Sequence, residues 1–167
     1  MKAAVGGLTF EFPDDWHHTQ YDGWSFYRHR FGRMWNEIKA VDLLVLDPSA
    51  TLWFLEVKDY RQHRRTKSAA LHTEVAEKVF DTLAALLPAR CNGDDSRERE
   101  FAKAALQAKR LRVVLHLEQP HQHSKLFPRA IEPSVVQLAL RRVLKPIDAH
   151  AVVSEKRNLR ALSWSVI

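Results

Sequence analysis

Two carboxylates and an ammonium stand in the most strand-like part of the sequence, KAVDLLVLDPSATLWFLEVKDYR, residues Lys39 to Arg61. Residues two apart on a strand share a face, roughly 6.6 Å from one another. Glu56 and Lys58 therefore project together, while Leu55 and Val57 face the other way. If the two apolar runs pair as a hairpin about Asp47-Pro48-Ser49-Ala50, Asp42 falls broadly opposite Glu56. Burying such charges without partners is costly, so something must compensate them. One compensation is a buried Glu–Lys or Asp–Lys ion pair. The other is a divalent cation held by Asp42, Glu56 and the backbone carbonyl of Val57, with Lys58 beside it. Mg²⁺ or Mn²⁺ takes oxygen ligands, commonly one or two carboxylates plus waters and a substrate phosphate, which points to phosphodiester chemistry.

Asp42, thirteen intervening residues and then Glu56-Val57-Lys58 closing a strand ahead of a helix resemble the PD-(D/E)xK nuclease superfamily. That group takes in restriction endonucleases, Holliday-junction resolvases and small bacterial or phage nucleases. The resemblance covers roughly residues 39–117, and its signature lies in the segment quoted above. It implies a restriction-endonuclease-like core with catalytic residues Asp42, Glu56 and Lys58 and metal ligands Asp42, Glu56 and Val57. It implies a Mg²⁺- or Mn²⁺-dependent endonuclease that hydrolyses DNA, with RNA as a further possible substrate. The metal would orient and ionise a water, and Lys58 would stabilise developing negative charge. The alternative within the same fold is a catalytically silent subunit that binds nucleic acid or serves assembly. Glu37-Ile38-Lys39 is a second triplet of the same type, but no apolar strand precedes it, so it is set aside. Asp22 is the best-placed N-terminal acid to complete the site, although Asp-Gly is foremost a turn signal.

Around this centre, Arg61, Arg64, Arg65 and Lys67 follow the motif directly and are candidates for sequence-blind contacts to nucleic-acid phosphate. Arg141, Arg142 and Lys145 near a helix end suit the helix dipole instead. His17-His18 and His121-x-His123 are expected in loops, where no acid or cysteine at ligand spacing makes either a zinc site. Tryptophans are read mainly as packing, with Trp24, Phe26 and Tyr27 beside Arg28 and Arg30 the best placed to stack on bases.

The elements that must position these residues can be read from periodicity. LTFEF, Leu8 to Phe12, alternates like a strand. AVDLLVLD and TLWFLEVKDY are nearly continuous apolar runs, as expected of strands covered on both faces. Leu71, Val75, Val79 and Leu83 fall at helical spacing, with Ser68 as a possible N-cap and Pro88 near the expected stop. REREFAKAALQAKR reads as a helix, LRVVLHLE as a strand, EPSVVQLALRRVLKPI as a helix, and AHAVVS and ALSWSVI as closing strands. The expected class is α/β (α+β), a central mixed β-sheet flanked by helices, with residues 1–167 forming one domain.

Charge is unevenly placed. Residues 1–55 carry five Lys/Arg against seven Asp/Glu, and residues 56–167 carry 21 against 13. A basic excess of that kind suits a polyanionic partner. Cys91 is the only cysteine, which excludes an intramolecular disulfide and a thiolate metal cluster and fits a cytoplasmic setting. The N-terminal residues lack a secretory h-region, and no apolar run is long enough to span a membrane. A homodimer, or a partner protein that supplies target choice, is compatible with so small a unit.

Overall fold

A computed structural model describes residues 1–63, 65–120, 130–160 and 162–167. Arg64, His121 and His123 fall outside the described residues. Among the described residues the chain forms β1 (Lys2–Val5), β2 (Leu8–Glu11), β3 (His17–Gln20), α1 (Ser25–His29), β4 (Leu43–Leu46), β5 (Thr51–Asp59), α2 (Leu71–Asn92), α3 (Ser96–Ala105), β6 (Arg110–Glu118), α4 (Pro133–Val143), β7 (Val152–Ser154) and β8 (Ser165–Val166).

The main sheet has the order β3-β4-β5-β6-β7. Strands β3, β4 and β5 form an antiparallel meander, and β5, β6 and β7 run parallel. Parallel neighbours need a crossover, supplied by α2 and α3 between β5 and β6 and by α4 between β6 and β7. A smaller antiparallel sheet, β1-β2-β8, covers the opposite face. Gly6 and Gly7, at φ 57° and 77°, close the β1–β2 hairpin in the left-handed conformation that a two-residue turn of matching twist requires. This is the mixed sheet flanked by helices that the sequence predicts.

Covering on both faces explains the continuous apolar runs. Leu44, Leu46, Leu52 and Phe54 pack toward the helices with Val75, Val79, Leu86 and Leu115. Leu43, Val45, Leu55 and Val57 pack toward the small sheet with Phe10, Trp16 and Trp164. Leu55 is fully buried, so truncating it to alanine is expected to cost about 2–5 kcal/mol.

Two strands are unexpected, and three local expectations need correction. Strands β1 and β3 carry little sequence signal, because each is four residues long and β3, HHTQ, contains no aliphatic residue. His17 and His18 therefore lie in an edge strand rather than a loop, and His18 packs against Phe12 with ring centroids 5.5 Å apart. Ser68 does not cap α2; Ala70 occupies that position without a side-chain bond. Pro88 does not end α2, which runs on to Asn92. Burial of Ala85, Leu86 and Ala89 holds that last stretch against the core despite the hydrogen bond a proline forfeits.

Candidate cation and phosphate site

The β4–β5 hairpin turns at Asp47–Ala50, where Ala50 N–H donates to Asp47 O (3.1 Å) and Ala50 adopts φ 58°. The Asp47 carboxylate also accepts from the backbone N–H groups of Ser49 (2.8 Å) and Thr51 (3.0 Å) and from Trp53 Nε1 (3.0 Å). This turn fixes the register at Leu43 opposite Leu55. Continuing it by one residue sets Asp42 level with Glu56, so the charges expected to meet do meet. Val57 N–H donates to Asp42 Oδ2 (2.6 Å), capping the end of the ladder. The N–H and C=O of a strand residue point to the same side, so the Val57 carbonyl also faces the Asp42 side.

Glu56 and Lys58 point toward α2, and that helix supplies two further residues not expected from the sequence, Glu74 and Lys78. Lys78 Nζ donates to Glu56 Oε1 (2.6 Å) and stands 4.0 Å from Asp42 Oδ1. Lys58 Nζ lies 2.9 Å from the same Glu56 Oε1 and donates to Glu74 Oε1 (2.8 Å). Glu74 also accepts from Arg65 (2.7 Å) and Lys67 (3.0 Å). A signal for both residues does exist: Glu74 and Lys78, four apart, interrupt the face of α2 that carries Leu71, Val75 and Val79. Placing that face on β5 requires the tertiary structure.

The two glutamates are almost equally buried, at 1% and 2% exposure, yet they differ electrically. Burial first, then the negative charge of Asp42, pushes the Glu56 carboxyl up to about 7, against the pull of Lys78 and Lys58. Burial acts on Glu74 in the same sense but is overcome by the bonds from Lys58, Arg65 and Lys67, which bring it down to about 2. For Lys58, burial is outweighed by Glu56 and Glu74, and its ammonium is held above the usual lysine range. Burial and the charge of Asp42 likewise raise the Asp22 carboxyl, which feels Lys78 as well. Asp22 thus belongs to the electrostatic surroundings of the cluster.

Two oxygens in this network lack good partners. Glu56 Oε2 is buried and has no hydrogen-bond partner among the described residues. Asp42 Oδ1, with Lys78 at 4.0 Å, is beyond hydrogen-bond reach of it. The side chains of Asp42, Lys58 and Lys78 are 16–17% exposed, so the cluster has an opening to solvent. Among the described residues no group of three or more His, Cys, Asp or Glu side chains is arranged to hold a metal. A hard cation that keeps several waters does not need three, and two under-satisfied carboxylate oxygens fit one.

The basic segment after β5 is less free than its composition suggests. Arg61 folds back on Asp59 through two bonds (2.9 and 2.6 Å). Arg65 is committed to Glu74, the Tyr60 hydroxyl (3.1 Å) and Ala69 O (2.6 Å). Lys67 remains 62% exposed with one bond to Glu74, so it is the one best placed to reach outward. Trp24 and Phe26 are buried, and Trp24 Nε1 donates to Thr19 Oγ1 (2.7 Å); they pack rather than offer a stacking platform. Lys39 of the set-aside triplet pairs with Glu77. An apolar cavity of about 670 Å³, lined by Trp35, Phe80 and Val143 among others, lies apart from the cluster.

No family model matches the chain, and no solved structure matches it. A cysteine–tRNA ligase of Neisseria meningitidis serogroup A / serotype 4A is 31% identical over 151 residues. The similarity takes in 72% of this chain and 22% of the ligase, so the chain spans about a fifth of the relative it matches. It is similar to part of an enzyme.

That finding overturns the nuclease assignment. The resemblance to the PD-(D/E)xK superfamily, the endonuclease activity on DNA and the silent subunit of the same fold all rest on a short motif. The longer similarity leads to a tRNA ligase instead. The motif misleads for a physical reason: an acid opposite an E-x-K strand end is also what a buried ion network needs. Here Lys78 and Lys58 both bond to Glu56, and Glu74 neutralises Lys58 in turn. Among the described residues no helix is long and apolar enough to cross a membrane.

Proposed function

We propose that this chain is an RNA-binding domain of the kind carried by a tRNA ligase, taking residues 1–167 as one unit. In this reading Asp42 and Glu56, with the Val57 carbonyl, would hold Mg²⁺ or Mn²⁺, and Lys58 and Lys78 would receive an RNA phosphate. Similarity to part of a cysteine–tRNA ligase carries the reading, and the buried Glu56 Oε2, without a hydrogen-bond partner among the described residues, supports the choice of site. The cation, when bound, supplies positive charge against two carboxylates and a phosphate. The chain's own residues do the rest. Asp42 is oriented by its bond from Val57 N–H, and Glu74 holds Lys58 in place. Lys78, which now bonds to Glu56, would be the second cation available to a phosphate at this site. The basic excess after residue 55 strengthens backbone contact without sequence preference, with exposed Lys67 beside the opening. A cytoplasmic setting belongs to the same proposal and is supported by the lone cysteine.

Filter binding of a tRNA transcript tests it, run in chelator and in Mg²⁺ or Mn²⁺ on wild type, Asp42→Asn and Lys58→Ala. Wild type should gain about tenfold in affinity with the divalent ion, equivalent to about 1.4 kcal/mol. Asp42→Asn should lose that increment and keep its affinity in chelator. Lys58→Ala should weaken binding in both conditions. An equal divalent increment in wild type and Asp42→Asn, or no binding of tRNA at all, contradicts the proposal.

A further inference from the structure

A cationic cavity lies at the other end of the central strands, where α4 meets Trp53 and Arg112. Trp53 pairs in register with Arg112 across β5 and β6, toward the strand ends remote from Glu56 and Lys58. Beside them is a cavity of about 150 Å³, lined by Trp53, Arg112, Gln137, Arg141, Arg160 and Leu162 among others. Its three guanidiniums come from β6, from α4 and from the segment before β8.

Their surroundings leave them under-neutralised. The Arg112 guanidinium sits over the Trp53 ring, 5.7 Å from its centroid, and its Nε is 3.8 Å from Asp148 Oδ2. Asp148 is itself committed to Val113 N–H (2.8 Å) and His150 N–H (2.8 Å). Arg141 Nε donates to Ala151 O (3.0 Å), which orients the fork, and its terminal NH₂ groups make no bond among the described residues. Gln137 Oε1 accepts from Val153 N–H (3.0 Å), so its amide NH₂ is left as a donor. Arg160, at φ 61°, is held in the left-handed region where a residue other than glycine is strained.

Arginine stays charged throughout the accessible pH range. Three such groups line one small cavity, with Asp148 beside Arg112 and Asp47 bonded to Trp53 as nearby carboxylates, and leave an excess of positive charge. We infer that this cavity binds a phosphomonoester. A monoester phosphate carries close to two negative charges at neutral pH and offers oxygens that guanidinium forks engage in pairs. A carboxylate or a phosphodiester supplies only one charge. A volume of about 150 Å³ admits a phosphate group and little more, so the remainder of the ligand must extend outward past the exposed Arg160. The 5′-phosphate end of an RNA strand and a small phosphorylated metabolite share this chemistry. The inference stands independently of the cation site, since it involves none of the same residues.

Calorimetric titration of the full chain at fixed ionic strength, with methyl phosphate and with dimethyl phosphate as probes, tests it. Methyl phosphate should bind at least about tenfold more tightly than the singly charged diester, and Arg160→Gln should weaken it by about tenfold or more. Arg160 is exposed, so the variant should keep the wild-type melting temperature. Arg141→Lys, which keeps the charge and loses the fork, should also weaken binding. Equal binding of the two probes, or an unchanged affinity in Arg160→Gln, overturns the inference. A 5′-phosphorylated oligoribonucleotide that outcompetes methyl phosphate, while its 5′-hydroxyl counterpart does not, assigns the source to an RNA end. Equal competition by the phosphorylated oligoribonucleotide and methyl phosphate assigns it to a small phosphomonoester.

Discussion

The main sheet carries a polar cluster on each face, set at the same level of its two central strands. Toward the helices stand Asp42, Glu56, Lys58, Glu74 and Lys78. Toward the small sheet stand His116, Glu118 and Ser154, with His116 on the strand rung that pairs with Val57. His116 Nδ1 lies 3.2 Å from Ser154 Oγ, and its Nε2 lies 3.0 Å from Glu118 Oε1. By residue type this second group could be taken for a nucleophile, a base and an orienting acid. It is sealed instead: all three residues are at most 2% exposed, and Phe10 packs edge-on against His116 at 5.1 Å. Glu118 is also tied to Lys156 N–H (2.6 Å). The helix-facing cluster opens to solvent and keeps a carboxylate oxygen that has no partner among the described residues. Chemistry needs access as well as residue type, and that separates the two groups.

The first way to break this comparison is to remove Glu74, which bonds to Lys58, Arg65 and Lys67 at once. Glu74→Ala takes away the carboxylate shared by the largely buried Lys58 and Arg65 and should cost about 3–5 kcal/mol in denaturant unfolding. A loss below about 1 kcal/mol would show that those cations reach solvent. Ser154→Ala, on the sealed face, removes one neutral hydrogen-bond partner of His116 and should cost about 1 kcal/mol.

Glu56→Gln should cost less than either at neutral pH, because burial and Asp42 already disfavour its ionised form. A loss as large as that of Glu74→Ala would mean that the two glutamates are held alike. Acid sharpens the contrast further, since the two carboxyls work in opposite directions. Glu74 is lowered from 4.5 to about 2; its contribution is present above about 4.5 and is lost as pH falls through 2. Glu56 is raised from 4.5 to about 7; its contribution is present below about 4.5 and is lost as pH rises through 7. Melting temperature followed over pH should therefore rise across the lower window and sag across the upper one. Glu56→Gln should flatten only the upper window. A profile that Glu56→Gln leaves unchanged contradicts the environment assigned to Glu56.

Much of this arrangement is legible in the amino-acid sequence. The apolar runs mark β4 and β5, the turn at Asp47–Ala50 sets their register, and parity along the strand sorts Glu56 and Lys58 onto one face. Strand β3 is not legible, because an edge strand of His-His-Thr-Gln carries no alternating apolar signal. Glu74 and Lys78 are visible only as breaks in a helical stripe, and their partners lie 16 and 22 residues away in sequence. The arginine cavity is the least legible, since β6, α4 and the segment before β8 meet only in the folded chain. The nuclease reading fails for a related reason: a short motif records which residues lie near one another, and the lysine and the second glutamate that complete the network come from α2.

The central claim is that Asp42 and Glu56 take up a divalent cation where Lys78 now stands. Mn²⁺ titration of the full chain, with free ion read by its electron paramagnetic resonance signal, tests it most directly. Wild type should bind one Mn²⁺ that Mg²⁺ competes away, while Glu56→Gln and Asp42→Asn, each folded as judged by its melting curve, should lose that site. A wild-type chain that takes up no Mn²⁺, or variants that bind it as wild type does, would contradict the claim and leave the cluster as an ion network that holds α2 to the sheet.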